Sequence, residues 1–218
     1  MSHGASRPFC DDGTYRDERY MAKSDQRLET ILDATTELMS KYGFYGTSLE
    51  RIGDKVGISK QNLIYYIKNK KNLMMLLIEK RYDDTPEYND FLSDHDPDIT
   101  PGAAPATLPA YYRMLARVNG QRPEFVQLFS MLNVEALESS HPAHAYFTQR
   151  NQWAIDKMAR IRWRVPMGID WREKMITANA MMDGIQIYWL RDQSHSLTGL
   201  WAKCEESLFP LPQWDGYR

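Results

Sequence analysis

The residues of this 218-residue chain best suited to chemistry are hydrogen-bond donors and cations gathered between Thr47 and Lys71. Lys60 can reach a phosphate or a guanine, and Gln61 and Asn62 carry the amides that pair with adenine edges. Tyr65 and Tyr66 can meet a phosphate or a thymine methyl. Thr47, Ser48 and Ser59 bring hydroxyls to predicted helix starts, where backbone N–H groups can also hold a phosphate. Lys70 and Lys71 begin the next helix and can clamp flanking phosphates. Eleven Lys/Arg against seven Asp/Glu lie between Met21 and Tyr82, a net +4, while the whole chain carries −2. A basic segment in a mildly acidic chain suggests a polyanion partner for that segment alone.

Other chemistry finds less support. No nucleophile–base–acid set, Gly-x-Ser-x-Gly elbow or phosphate-binding glycine loop is present, so the chain does not read as an enzyme and no cofactor is expected. His141 and His144 stand three apart with Glu138 nearby, but a third and fourth metal ligand are not evident. Cys10 and Cys204 have no framework spacing, which excludes a disulfide scaffold. The longest apolar runs, such as Leu73 to Ile78, are too short to span a bilayer, and the first residues contain no apolar signal core. A cytoplasmic protein is expected.

The elements that must position the 47–71 cluster follow from periodicity. Leu28, Ile31, Leu32, Thr35, Leu38, Met39 and Tyr42 recur at helical spacing after Ser24, and Gly43 stops that helix. Thr47 to Glu50 reads as a capping box, with Thr47 at the N-cap and Glu50 reaching back from N3. It opens a short helix that turns Leu49, Ile52 and Val56 inward and ends at Gly57. Ser59 caps a third helix with Leu63 and Ile67 inward. A fourth runs to about Tyr82 with Leu73, Met74, Leu77 and Ile78 on one side. Two short helices meeting at Val56-Gly57-Ile58 form a helix-turn-helix, whose second helix suits a DNA major groove.

Residues 83–109 hold five prolines and an acidic run, which reads as a boundary or mobile linker. Further helices are predicted over about 108–120, 123–138, 142–164, 171–192 and 196–208. The fold class is all-α: a tail over 1–23, a helix-turn-helix domain with its connecting helix over 24–82, and a larger helical domain over 83–218.

The run GTSLERIGDKVGISKQNLIYYIKNKKNLM resembles the DNA-binding domain of TetR-family transcriptional regulators. The preceding Tyr42-Gly43-Phe44, the Gly46-Thr47 pair, the Val56 to Lys60 turn and Lys70 before Leu73 share the likeness, over about residues 25–75. Ile64 and Ile67 stand where aromatics are usual. The resemblance implies a homodimer on a palindromic double-stranded operator, three N-terminal DNA-binding helices and a C-terminal domain that answers to a small molecule. Repression relieved by such an effector is the expected mode. The last two helices would form a four-helix dimer interface, with Met175, Met182, Ile185, Trp189, Leu197 and Trp201 as its apolar contacts and Gly184 allowing close approach.

Met114, Phe125, Phe129 and Trp153 lie on helices expected to enclose the C-terminal core and can line an adaptable pocket. Asn179, Asp183 and Gln186 would require partners if buried there. Two other readings stay open: a helical small-molecule binder or enzyme that keeps a degenerate DNA-binding domain, and an interaction protein that uses its apolar C-terminal helices.

Overall fold

The computed structural model describes residues 12–80 and 85–218, with side chains from Asp25 onward. Among the described residues ten helices follow one another: α1 (Asp12–Tyr42), α2 (Leu49–Val56), α3 (Lys60–Ile67), α4 (Lys70–Ile78), α5 (Pro86–His95), α6 (Leu108–Gly120), α7 (Pro123–Glu135), α8 (His144–Met158), α9 (Trp171–Arg191) and α10 (Leu197–Leu208). No strand occurs among the described residues, and the only pairing of extended backbone is a single bridge between Ala106 and Trp163. None of the described helices is long and apolar enough to cross a membrane.

α1 begins twelve residues before the periodicity that announced it. The tail expected over 1–23 is therefore helical from Asp12, and its residues 1–11 lie outside the described residues. Ile31, Leu32 and Met39 are fully buried on the predicted face. Tyr42, expected inward, is instead exposed with the Arg51 guanidinium stacked 3.8 Å over its ring. Thr35 and Thr36 are buried because each hydroxyl donates to a carbonyl one turn back, Ile31 O and Leu32 O.

The segment expected to be a linker carries α5. Thr85 caps it through its hydroxyl, and Pro86 sits in the first turn, where a missing N–H costs nothing. Phe91 is buried against Tyr111 at 5.0 Å, tying α5 to α6. The remainder of the segment is fastened too: Arg162 donates from its guanidinium to Ala103 O, and Ala106 exchanges backbone hydrogen bonds with Arg162 and Arg164. That exchange also ends α8 at Met158, short of the predicted 164.

Among the described residues, two large apolar clusters and a small third one, of Val126, Trp189 and Leu197, hold the molecule. The first joins α1–α4 to Leu128 and Leu132 of α7, to Ala136 just past its end and to Tyr146 of α8, so the helix-turn-helix region is packed directly onto the C-terminal helices. The second centres on α6, α9 and α10, with Tyr112, Trp201, Phe209 and Trp214 fully buried. Glu205, nearly inaccessible in that second cluster, is paired with Arg113 in a bidentate contact. Burying a polar group costs free energy unless it is hydrogen-bonded, and the paired guanidinium donors offset that cost.

Candidate functional site

The α2–α3 unit is shaped by local chemistry. Ser48 Oγ accepts from Arg51 N at 3.1 Å and Ser59 Oγ accepts from Asn62 N at 3.2 Å, capping the two helices. Ser48 thus takes the N-cap expected of Thr47. Gly57 adopts φ +70° and its N–H turns back onto Asp54 O and Gly53 O, while Ile58 N–H donates to Gly53 O at 2.9 Å. Gly53 lies so close to the turn that a Cβ there would stand 2.6 Å from the Ile58 carbonyl oxygen. Sequence reasoning missed Gly53, although a glycine inside an eight-residue helix is a signal of close backbone approach.

With Leu63 and Ile67 buried, the opposite side of α3 presents Lys60, Gln61, Asn62, Ile64 and Tyr65 to solvent. Tyr65 is 71% exposed, and its ring meets the half-buried Tyr66 edge-on at 5.5 Å. The structure therefore brings one cation, two amides and a phenol onto one exposed helix face. Lys60 Nζ lies 2.7 Å from Glu50 Oε1 and holds that carboxyl below the usual range. An incoming phosphate would compete with Glu50 for the same ammonium.

Thr47 and Lys70 belong elsewhere. Thr47 is fully buried and its hydroxyl donates to Gly43 O at 2.8 Å, out of reach of any phosphate. Lys70 Nζ donates to Phe44 O at 2.8 Å and Thr47 O at 2.9 Å and sits 4.1 Å from the Phe44 ring centre. Burial lowers its pKa, partly opposed by Glu135. Both residues brace the α1–α2 turn. Lys71, next in sequence, is exposed.

The same turn is gripped from the C-terminal side. Phe44 N–H donates to Glu135 Oε2 at 2.6 Å, and the carboxylate occupies the space where a side chain on Gly43 would begin. His141 packs edge-on against Phe44 and Tyr45, with Nε2 3.9 Å from Glu135 Oε2. Burial pushes its pKa down more than Glu135 pulls it up, which keeps the imidazole neutral. His144 faces another way, with Nδ1 2.8 Å from Ala136 O. The two histidines therefore do not converge on a metal. Among the described residues no cluster of three or more His, Cys, Asp or Glu could hold one.

A cavity of about 370 Å³ lies between α5, α6, α7, α8 and α9. Met114, Phe125, Trp153, Asn179, Asp183 and Gln186 all line it, as the sequence suggested. Phe129 does not. It turns to Phe147, at 5.1 Å between ring centres, and to the Arg150 guanidinium, 4.5 Å away. Arg150, Tyr88 and Tyr111 line the cavity without having been singled out, because a lone arginine on a polar helix face carries no sequence signal of burial. Tyr112 O–H, deeply buried, lies 2.7 Å from Asn179 Oδ1 and fixes that amide at the cavity wall. Burial raises the pKa of Asp183 against the pull of Arg150.

The expected dimer contacts are largely internal. Met175, Met182, Trp189, Leu197 and Trp201 are buried within their own chain, and Ile185 is half-buried. Met175 and Met182 line the cavity. The outer side of α9 instead exposes Ile176, Ala180, Gly184, Ile187 and Tyr188.

Comparison with known proteins follows this division. Residues 31–75 match the family described as bacterial regulatory proteins, tetR family. The HTH-type transcriptional regulator RutR of Escherichia coli K12 is 32% identical over 105 residues, 48% of this chain and 47% of the relative; the Shigella flexneri protein of that name matches equally. The chain thus spans about half the length of the curated relatives it matches. Among solved structures, NalD, a secondary repressor of a multidrug efflux pump in Pseudomonas aeruginosa, superposes with TM-score 0.59 at 20% identity, covering 85% of this chain and 96% of that one. FadR of Bacillus subtilis, in complex with stearoyl-CoA, gives TM-score 0.61 at 17% identity, covering 83% and 96%. At such identities the likeness concerns the fold.

Proposed function

We propose that the chain, whose residues 31–75 match the tetR family, is a sequence-specific DNA-binding regulator, a repressor released from a palindromic operator by a small molecule. The observation that carries this reading is the exposed face of α3. Leu63 and Ile67 anchor the helix, leaving Lys60, Gln61, Asn62 and Tyr65 outward beside the capped start of α2. These groups match the demands of a groove: a cation for phosphate or guanine, amides for adenine edges, a phenol for phosphate. Ser48 and Lys71 flank them on the solvent side and take the backbone contacts.

The protein acts in the cytoplasm as a homodimer whose two α3 helices enter successive major grooves. The outer stripe of α9, Ile176, Ala180, Gly184 and Ile187, supports the dimer, since apolar groups there have no cover from their own chain. Gly184 would allow close helix approach because its missing side chain faces open space. Effector binding acts on the cavity, and α7 carries the change. Phe125 and Val126 near its start line the cavity, while Glu135 at its end holds Phe44 N–H in the α1–α2 turn. Displacement of α7, with α4 following through Lys70, alters the spacing of the two α3 helices.

Selection of the purified full chain against a randomised duplex library tests the reading. A single enriched palindrome is the expected result. No enrichment by a folded, dimeric protein would overturn it and favour a binding protein with a degenerate DNA-binding domain.

A further inference from the structure

The face offered to DNA carries a carboxylate, which a polyanion partner disfavours. α3 has no acidic residue of its own, but Glu50, in the first turn of α2, places Oε1 2.7 Å from the ammonium of Lys60, the first residue of α3. Both side chains are about half exposed, so the pair is open to an incoming partner. An exposed pair of this kind adds little to stability. On DNA it has a cost, because a carboxylate near phosphates weakens binding to every sequence alike. A compensating contact has to come from a group that only some sequences present. Lys60 stands where such contacts are made, since the N-terminal residues of the second helix of a helix-turn-helix meet the base edges.

The major-groove edge of a G·C pair has the matching pattern. Guanine N7 and O6 accept, and the cytosine N4 amino group beside them donates. The Lys60 ammonium has three donors, enough to keep Glu50 and reach both guanine acceptors. The Glu50 carboxylate accepts from Lys60, its own backbone N–H and the Ser48 hydroxyl, which together hold its pKa below the usual range. With about four acceptor sites on its two oxygens, it retains room for the cytosine amino group. An A·T pair sets a donor between two acceptors, so the ammonium loses one of its two adjacent targets.

We propose that Glu50 and Lys60 act as one unit that reads a single G·C pair in each half-site, Lys60 on the guanine and Glu50 on the cytosine. The inference rests on the DNA-binding reading and adds to it a base reader, Glu50, and the base pair it selects. On other sequences Lys60 turns to a phosphate and strands Glu50 against the backbone, so the same carboxylate holds down non-specific affinity.

The test takes the duplex that the full chain selects from a randomised library. Fluorescence anisotropy at fixed salt then compares that duplex, copies with A·T in place of each G·C pair, and a random duplex. Replacement at one G·C position per half-site should cost about tenfold or more. Glu50→Ala should flatten the preference at that position alone. It should also bind the random duplex more tightly, with a salt slope steeper by about one, a gain that a misfolded variant cannot produce. Lys60→Met should flatten the same position, and the double variant should flatten it no further, as for a shared contact. A selected duplex with no sensitive G·C position, an unchanged profile in Glu50→Ala, or different positions flattened by the two single variants would overturn the inference and leave the DNA-binding reading standing. No enrichment by a folded, dimeric protein overturns that reading and this inference with it.

Discussion

The hydrogen bonds that shape the α2–α3 turn join residues three to five positions apart, whereas the cavity takes its walls from five helices between Thr85 and Gln186. In the first region each feature has a local cause: serine caps, a left-handed Gly57, a Gly53 that lets backbones touch. In the second, no residue's role follows from its neighbours in sequence. Asn179 is a cavity wall because Tyr112, 67 positions away, holds its amide. A local device tolerates change elsewhere in the chain and fails sharply at its own few positions. A dispersed one should lose specificity gradually.

The sharpest way to break this contrast is Gly53→Ala. The new Cβ would meet the Ile58 carbonyl oxygen at 2.6 Å, and backbone on both sides leaves little room to yield. A loss of about 3 kcal/mol is expected, as in severe overpacking, with operator binding abolished; denaturant titration and a duplex-binding assay check it. A near-neutral result would mean the turn is less rigid than its geometry implies. Glu135→Ala comes next, since it strands Phe44 N–H and removes the contact between α7 and the α1–α2 turn. About 2 kcal/mol should be lost, as for a buried donor deprived of a charged acceptor. Ligand affinity should survive while the ligand's effect on DNA weakens, a separation that titrations with and without duplex would reveal. Ser59→Ala removes the α3 cap and should cost about 1 kcal/mol, read as a lower denaturant midpoint.

The difference between the regions also decides what was legible beforehand. Short-range signals identified α2, α3 and the turn, and six of seven proposed cavity residues do line it, because apolar and amide positions on adjacent helices tend to face one interior. The misreadings arose where one pattern has two physical meanings. Pro86 and Pro109 looked like breakers but sit in first turns of α5 and α6. α9 has two apolar stripes, and spacing does not say which one meets its own chain; Met182 and Trp189 face inward, Ile176 and Ile187 outward. Thr47 and Lys70 had the right chemistry for phosphate but are consumed by carbonyls of the α1–α2 turn. Glu135 was invisible, because a carboxylate at a helix end usually faces water.

The smallest effect expected is a pH dependence at the junction. His141 is held neutral, with a folded-state pKa below its ordinary value because of burial. The unfolded chain therefore takes up the proton first as pH falls. No penalty exists well above about pH 6.5, and stability declines as pH drops through that value toward the folded-state pKa. In His141→Asn, whose Oδ1 can replace Nδ1 as acceptor for Ala143 N–H, this slope should shrink. Denaturation midpoints between about pH 7 and pH 5 would measure it.

The central claim, that the exposed face of α3 is a DNA-reading surface, is tested most directly by the salt dependence of binding to a selected duplex, for the unaltered chain and for Lys60→Met. Fluorescence anisotropy should give affinities that fall on the order of a thousandfold between roughly 50 and 200 mM salt, as several phosphate contacts are displaced. Lys60→Met should bind more weakly with a slope shallower by about one. A flat salt response, or an unchanged affinity and slope in Lys60→Met and in Gln61→Ala alike, would contradict the account.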